Sequence, residues 1–290
     1  MNIDFLGKRK TAYFLSGLMI LIGIVSLIVR GGANYGLDFT GGTLVHLKFE
    51  REVSLNELGE MRKVLEQLNL GKSIQQIGEK KDEIMIKVKE RKEDMGALIE
   101  ATLKEKGNSF EVLRTEMIGP SVSRDLRKIA FASIFFVFVG ILFYITLRFE
   151  LKFALGAVLA LIHDILITVG SFSLLNKEFD IPIVAALLTI VGYSLNDTIV
   201  IFDRIRENLK VLRKEAYIKI LNVSINQTLS RTIITSLTTL FAIVSLYALG
   251  GTVIHDFAFA LIVGVVVGTY SSIFIANPFL LEWENRRDHH

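Results

Sequence analysis

IPIVAALLTIVGYSLNDTIVIF, residues 181–202, is a run of 22 residues with a single formal charge, Asp197. As a helix rising about 1.5 Å per residue it is about 33 Å long, enough to cross a hydrocarbon core of about 30 Å. Five further stretches have the same character: 12–29, 129–147, 153–175, 232–250 and 257–281. The first follows Lys8, Arg9 and Lys10, as a secretory signal would. It is long for a signal core, and Arg30-Gly31-Gly32 is no small-residue cleavage site, so it reads as a retained helix. The fold class expected is a polytopic α-helical membrane protein with six spans.

Composition agrees once charge is located along the chain. The 290 residues are 51% hydrophobic and 22% charged, with a mean hydropathy of +0.47. That hydropathy is high for a soluble protein, while the charge load is ordinary. Both hold because charge and apolar surface are segregated: 35 of the 63 charged residues lie between Arg30 and Lys128. Disorder, collagen and coiled coil are excluded. The absence of Cys excludes a disulfide scaffold, a Cys-ligated metal and a Cys nucleophile. A net charge of +3 gives no case for nucleic acid.

Lys and Arg in the short loops set the orientation. With the N-terminus inside, Lys8, Arg9, Lys10, Arg148, Lys152, Arg204, Arg206, Lys210, Arg213, Lys214, Lys219, Arg231, Arg286 and Arg287 are cytoplasmic, and Lys177 alone lies in a short outer loop. Both termini are then cytoplasmic. The expected organisation is residues 1–30 as tail and first span, 31–128 as an outer domain with linkers, 129–281 as a five-helix bundle, and 282–290 as a tail. Within the bundle, residues 203–227 read as a basic amphipathic loop at the membrane surface, facing anionic lipid or a cytoplasmic partner.

Residues 43–115 read as β-α-β-β-α-β. Alternation marks strands at 43–49 and 83–88, with a weaker one at 73–77 and a last at 110–114. Ser54-Leu55-Asn56-Glu57 is a capping box. The helix after it carries Leu55, Leu58, Met61, Val64, Leu65 and Leu68 on one stripe. Met95, Leu98, Ile99 and Leu103 mark a second helix, ending near Gly107. The order is that of a ferredoxin-like split βαβ, which by itself names no function. Between Arg30 and Lys128, 18 basic and 17 acidic residues balance, as on a solvated surface.

Gly36-Leu37-Asp38-Phe39-Thr40-Gly41-Gly42-Thr43 has P-loop spacing, but Gly42 stands where the Lys is needed and a strand follows instead of a helix. Nucleotide binding is excluded. The segment reads as a tight Gly-rich entry from membrane to sheet, or as a hinge or contact site with Asp38 and Thr40 as its polar groups.

Ionisable groups at membrane depth are costly, so each needs a reason. His163 and Asp164 fall in the third span, Asn196 and Asp197 in the fourth, and Arg231 opens the fifth. Thr228, Arg231, Thr232, Thr235 and Thr239 form one polar stripe on a helix, suited to the bundle interior or a wet cavity. If Arg231 moves toward or away from Asp197, the carboxylate releases or takes up a proton, and motion couples to proton passage. The alternative is a static ion pair that fixes packing. His163-Asp164 is open between a proton relay and interhelical hydrogen bonding. His255-Asp256 sits at an outer helix end and reads as structural. Ala260, Gly264 and Gly268 form a small-residue ridge for close helix contact. No H-E-x-x-H is present, no His set suits a metal, and the G-x-G-D pattern of an intramembrane aspartyl protease is absent.

Four blocks together carry a family resemblance: Tyr35-Gly36-Leu37-Asp38-Phe39-Thr40-Gly41-Gly42, Ile118-Gly119-Pro120-Ser121-Val122-Ser123, the run from Gly192 to Asn208, and Asn226-Gln227-Thr228-Leu229-Ser230-Arg231-Thr232. They resemble the SecD/SecF family of bacterial protein-export membrane proteins, on its SecF side, and the resemblance covers nearly the whole chain. It implies a subunit of the cytoplasmic (inner) membrane that works with SecD, in a pair similar to the proton-driven RND transporters. The pair assists the SecYEG translocon, with YajC and YidC as further partners, by pulling or holding the exported unfolded polypeptide on the outer side. The coupling ion implied is H+, with no cofactor and no catalytic chemistry of its own. The family's membrane aspartate falls on Asp197 and its arginine on Arg231. Asp38 and Thr40, with Gly41 and Gly42, match the motif that precedes the outer domain. The competing reading is an RND-type small-molecule or lipid exporter subunit, for which a single compact outer domain offers little room.

Overall fold

Six helices are long and apolar enough to cross a membrane, and a small α+β domain lies between the first and the second. The computed structural model describes residues 3–67, 73–78, 80–89, 94–104 and 109–287. In chain order its elements are α1 (Arg9–Val29), α2 (Leu37–Thr40), β1 (Gly42–Phe49), α3 (Leu55–Gln67), β2 (Ser73–Ile77), β3 (Glu83–Val88), α4 (Met95–Lys104), β4 (Phe110–Ile118), α5 (Pro120–Arg148), α6 (Leu151–Leu174), α7 (Ile181–Val211), α8 (Tyr217–Leu249), α9 (Gly251–Phe274) and α10 (Ala276–Arg287).

The α+β domain follows the expected order. Its sheet runs β2-β3-β1-β4, antiparallel throughout, with Val45 opposite Ile86 and Thr115. Alternation puts Val45, Leu47, Ile84, Ile86 and Val88 on one face, where they meet Met61 and Leu65 of α3 and Met95, Ile99 and Leu103 of α4. Each such side chain, fully buried, contributes about 1.5–3 kcal/mol, so the domain carries a core of its own. The capping box forms: the Ser54 N–H donates to Glu57 Oε2 at 2.9 Å and the Glu57 N–H to Ser54 Oγ at 3.3 Å. Two stripe members differ from expectation. Leu55 and Leu98 are exposed, because each sits at the edge of its helix's inward arc. Leu68, Gly107, His289 and His290 lie outside the described residues.

In the bundle, α6, α7 and α9 are the buried helices, while α1, α5 and α8 sit at the periphery. α1 meets α6 through small residues: Gly23 against Gly170, and Ser26 hydrogen-bonded to Ser173 at 2.8 Å. Four boundaries depart from the sequence reading. α5 begins at Pro120, not at 129, so residues 120–128 belong to the helix and only Gly119 separates it from β4. β4 itself runs on to Ile118. The sixth span is broken at Ile275, because Pro278 has no N–H to give the Phe274 carbonyl; Asn277 Nδ2 instead donates to the Ser272 carbonyl at 2.6 Å. Residues 203–227 are no surface loop. They are the C-terminal end of α7 and the N-terminal end of α8, joined by residues 212–216. Asn208 donates to Ser224 and to Gln227, both at 2.8 Å, and Asp203 pairs with Arg148 of α5 at 2.9 Å. His255-Asp256, read as structural, is tied down by the Lys177–Asp256 ion pair at 2.5 Å.

Candidate functional site

The middle of α7 is where polar groups concentrate. Asp197 is 3% exposed, and its Oδ2 has no hydrogen-bond partner. The Thr232 hydroxyl of α8 is also buried and unpartnered. Around them, Tyr193 donates to Ser236 at 3.3 Å, Ser236 bonds Thr269 of α9 at 2.7 Å, and Thr198 bonds Ser272 at 2.9 Å. The α8 groups that act electrostatically on Asp197 are Arg231 and Ser236. A buried carboxylate oxygen without a donor costs a full desolvation penalty, so this group is held for something other than stability.

Arg231 is exposed, and no ion pair joins it to Asp197 among the described residues. The α8 stripe therefore divides: Thr228 and Thr232 point into the bundle, Thr235 and Thr239 are half-buried, and Arg231 points out. Asn196 is exposed as well, on the opposite side of α7 from the core. The exposed stripe of α7 reads Ala185, Thr189, Gly192 and Asn196. It is small and polar where a lipid-facing helix would be large and apolar.

His163 and Asp164 are buried one turn of packing away, between α1, α6, α7 and α9. Asp164 Oδ2 accepts from Ser194 at 2.7 Å and from Ser271 at 2.9 Å. His163 bonds Asp164 at 2.9 Å and Ser16 of α1 at 3.0 Å.

Beside the α6–α7 connection, the Gly-rich motif contains a helical turn, α2, that the sequence did not suggest. Asp38 Oδ2 accepts the Ile181 N–H of α7 at 3.0 Å. Phe39 is buried against Ala130, Val184 and Phe179. Thr40 Oγ1 donates to the carbonyls of Gly36 and Gly41. Gly41 and Gly42 take φ of 72° and 145°, and a Cβ on Gly42 would lie 2.2 Å from the Val88 carbonyl oxygen, so the chain can turn into β1 only with glycine there. Backbone bonds from Gly36 to Phe179 and from Phe179 to Asn34 strap the motif to the α6–α7 loop, and Lys87 of β3 pairs with Glu178 at 2.6 Å.

Asp180 was missed from the sequence, although Asp before Ile-Pro at the head of an apolar run is an N-cap signature. Its Oδ1 accepts the Ile183 N–H at 3.4 Å. Burial pushes its carboxyl up to about 6; Lys87 opposes the rise, and Asp38 and Glu178 add to it. The folded pKa then lies above the ordinary value of 3.8, so the folded chain holds a proton that the unfolded chain releases between the two. Stability from this group is present at low pH and is lost as pH rises through about 6. Thermal unfolding in detergent at pH about 5 and about 7 checks this: wild type gains more on acidification than Asp180→Asn, which keeps the cap without titrating.

Comparison with known proteins agrees with this arrangement. Residues 98–286 match the family model for the C-terminal region of the protein export membrane protein SecD/SecF, and residues 25–53 match the SecD/SecF GG motif. The protein translocase subunit SecF of Calditerrivibrio nitroreducens is 48% identical, over 95% of this chain and 92% of that protein. The SecF subunit of Pseudomonas aeruginosa is 42% identical, over 98% and 92%. The crystal structure of SecDF, a translocon-associated membrane protein from Thermus thermophilus, superposes with a TM-score of 0.85 at 39% identity; the match covers 99% of this chain and 39% of that one. A SecDF structure in a super-membrane-facing form superposes at 0.72 with 38% identity, over 100% and 40%. By the span of the family match and the identity to these relatives, the chain belongs to the SecD/SecF family of protein export membrane proteins.

Proposed function

We propose that this chain is an auxiliary subunit of polypeptide export in the cytoplasmic membrane, coupling inward proton flow to work on the exported chain at the outer side. The observation that carries the reading is Asp197, a membrane-buried carboxylate whose Oδ2 lacks a donor, with Arg231 exposed on the neighbouring helix and not ion-paired to it among the described residues. The coupling ion is H+, and the subunit performs no catalytic chemistry and needs no cofactor. Both termini are cytoplasmic, from the Lys/Arg bias of the short loops. The α+β domain, on the outer side, is the part that meets unfolded polypeptide delivered by SecYEG, with YajC and YidC as accessory partners.

A membrane partner, SecD, completes the pathway. An Arg facing lipid in a spanning helix is costly, up to about 2.5–3.5 kcal/mol at the helix centre, and Asn196 adds to that. The stripe Ala185, Thr189, Gly192 and Asn196 suits a helix of a second chain instead. The SecDF chains more than twice the length of this one fit the same reading. A thiol cross-linker on Asn196→Cys in native membranes is expected to join this chain to SecD; cross-links to lipid alone contradict the partner. Gradient-dependent export with Asp197→Asn tests the coupling.

A further inference from the structure

The buried hydroxyls around His163 and Asp164 fix where the protons sit. Tyr270 donates to the Ala12 carbonyl at 2.9 Å, so the Ser16 hydroxyl donates its one proton to Tyr270, at 3.2 Å. Ser16 can then only accept from His163, and Nε2 of the ring must carry a proton. Asp164 Oδ2 accepts from Ser194 at 2.7 Å and, at the shorter of the two contacts open to the Ser271 hydroxyl, from Ser271 at 2.9 Å, the Gly268 carbonyl lying 3.1 Å from the same hydroxyl. The remaining contact, His163 Nδ1 to Asp164 Oδ1 at 2.9 Å, needs one proton between the two atoms. Wherever that proton sits, on imidazole or on carboxyl, the pair has zero net charge. Removing it would leave a full charge at a site where Asp164 is 0% exposed, with no cation besides the imidazole to meet it among the described residues.

We infer that His163–Asp164 is a charge-neutral, proton-retaining lock that positions the α7 segment carrying Asp197, and is not itself a station on the proton path. Asp164 acts through Ser194. The Ser194 hydroxyl is held by the carboxyl, and its carbonyl accepts from Thr198 at 3.1 Å and Ser272 at 3.3 Å. Asp197 lies between those two α7 residues. His163 extends the lock through Ser16 to α1. The pair is therefore a positioning element, and the inference rests on the reading of Asp197 as the proton carrier.

The accounting predicts which substitution is tolerated. In Asp164→Asn, the amide nitrogen donates to His163 Nδ1 and the amide oxygen accepts from Ser194 and Ser271, so every partner is kept without a titrating group. Asp164→Asn should accumulate normally and keep gradient-dependent export with an unchanged pH midpoint. Ser194→Ala should also assemble but displace that midpoint, because the surroundings of Asp197 loosen. Loss of gradient response in Asp164→Asn, its failure to accumulate, or an unmoved midpoint in Ser194→Ala each overturns the inference. Should Asp197→Asn retain gradient-dependent export, the carrier reading fails on its own. Thermal unfolding in detergent then judges the lock: Asp164→Asn should unfold near wild type and Asp164→Leu at lower temperature, and the reverse order overturns it.

Discussion

Membrane vesicles carrying Asp197→Asn are expected to assemble the export complex and to translocate at the gradient-independent rate, with no acceleration when a proton gradient is imposed. The amide keeps the size and most of the packing of the carboxyl but cannot exchange a proton. A potential of about 100 mV is worth about 2.3 kcal/mol per charge, a bias of about fiftyfold on any step that moves one charge through the full field. With no titrating group on α7 at that depth, the bias has nothing to act on. Arg231→Met is expected to move in the same direction, since the carboxylate then lacks the cation whose approach would expel its proton. Export rates with and without an imposed gradient, in the two variants and wild type, check both.

The second large effect is on packing. Gly264→Leu should prevent stable folding of the bundle, and Gly192→Leu should not. A Cβ on Gly264 would lie 2.2 Å from two carbons of Ile190, and Ile190 is fully buried with nowhere to retreat. Overpacking of this kind costs about 1–3 kcal/mol for small excesses, and a whole isobutyl group exceeds them. Gly192 is on the other side of α7, with nothing within 4 Å of a Cβ placed there. Its leucine variant should therefore fold with wild-type thermal stability in detergent and lose association with the partner chain. Unfolding temperature and co-purification, measured on both variants, separate a core glycine from an interface glycine.

The contrast between those glycines shows what sequence could and could not convey. Six apolar runs and the β-α-β-β-α-β order were legible because helical spans and alternating strands impose their period on hydrophobicity. Helix ends were less so. α7 continues past Phe202 to Val211 and α5 starts at Pro120, because a helix that leaves the membrane turns polar without ending. The ridge Ala260, Gly264 and Gly268 was legible as a contact surface, although its target, Ile190 and Ser194, was not. Asp197 and Arg231 stood out by their cost in lipid. Spacing alone could not tell that Arg231 and Asn196 face outward, because the face a helix buries depends on its neighbours. The network of Ser16, His163, Asp164, Ser194, Ser271 and Tyr270 draws on four helices far apart in sequence. A serine in a span looks alike whether it bonds its own turn or another helix, so only the histidine and the aspartate drew notice.

Proton movement itself tests the central claim most directly. In vesicles that contain this chain and its SecD partner, with a pH-sensitive dye trapped inside, export driven under a proton gradient should be accompanied by a proton flux. Coupling through Asp197 predicts that the flux is present in wild type and absent in Asp197→Asn at equal amounts of complex. An equal flux in both would contradict it.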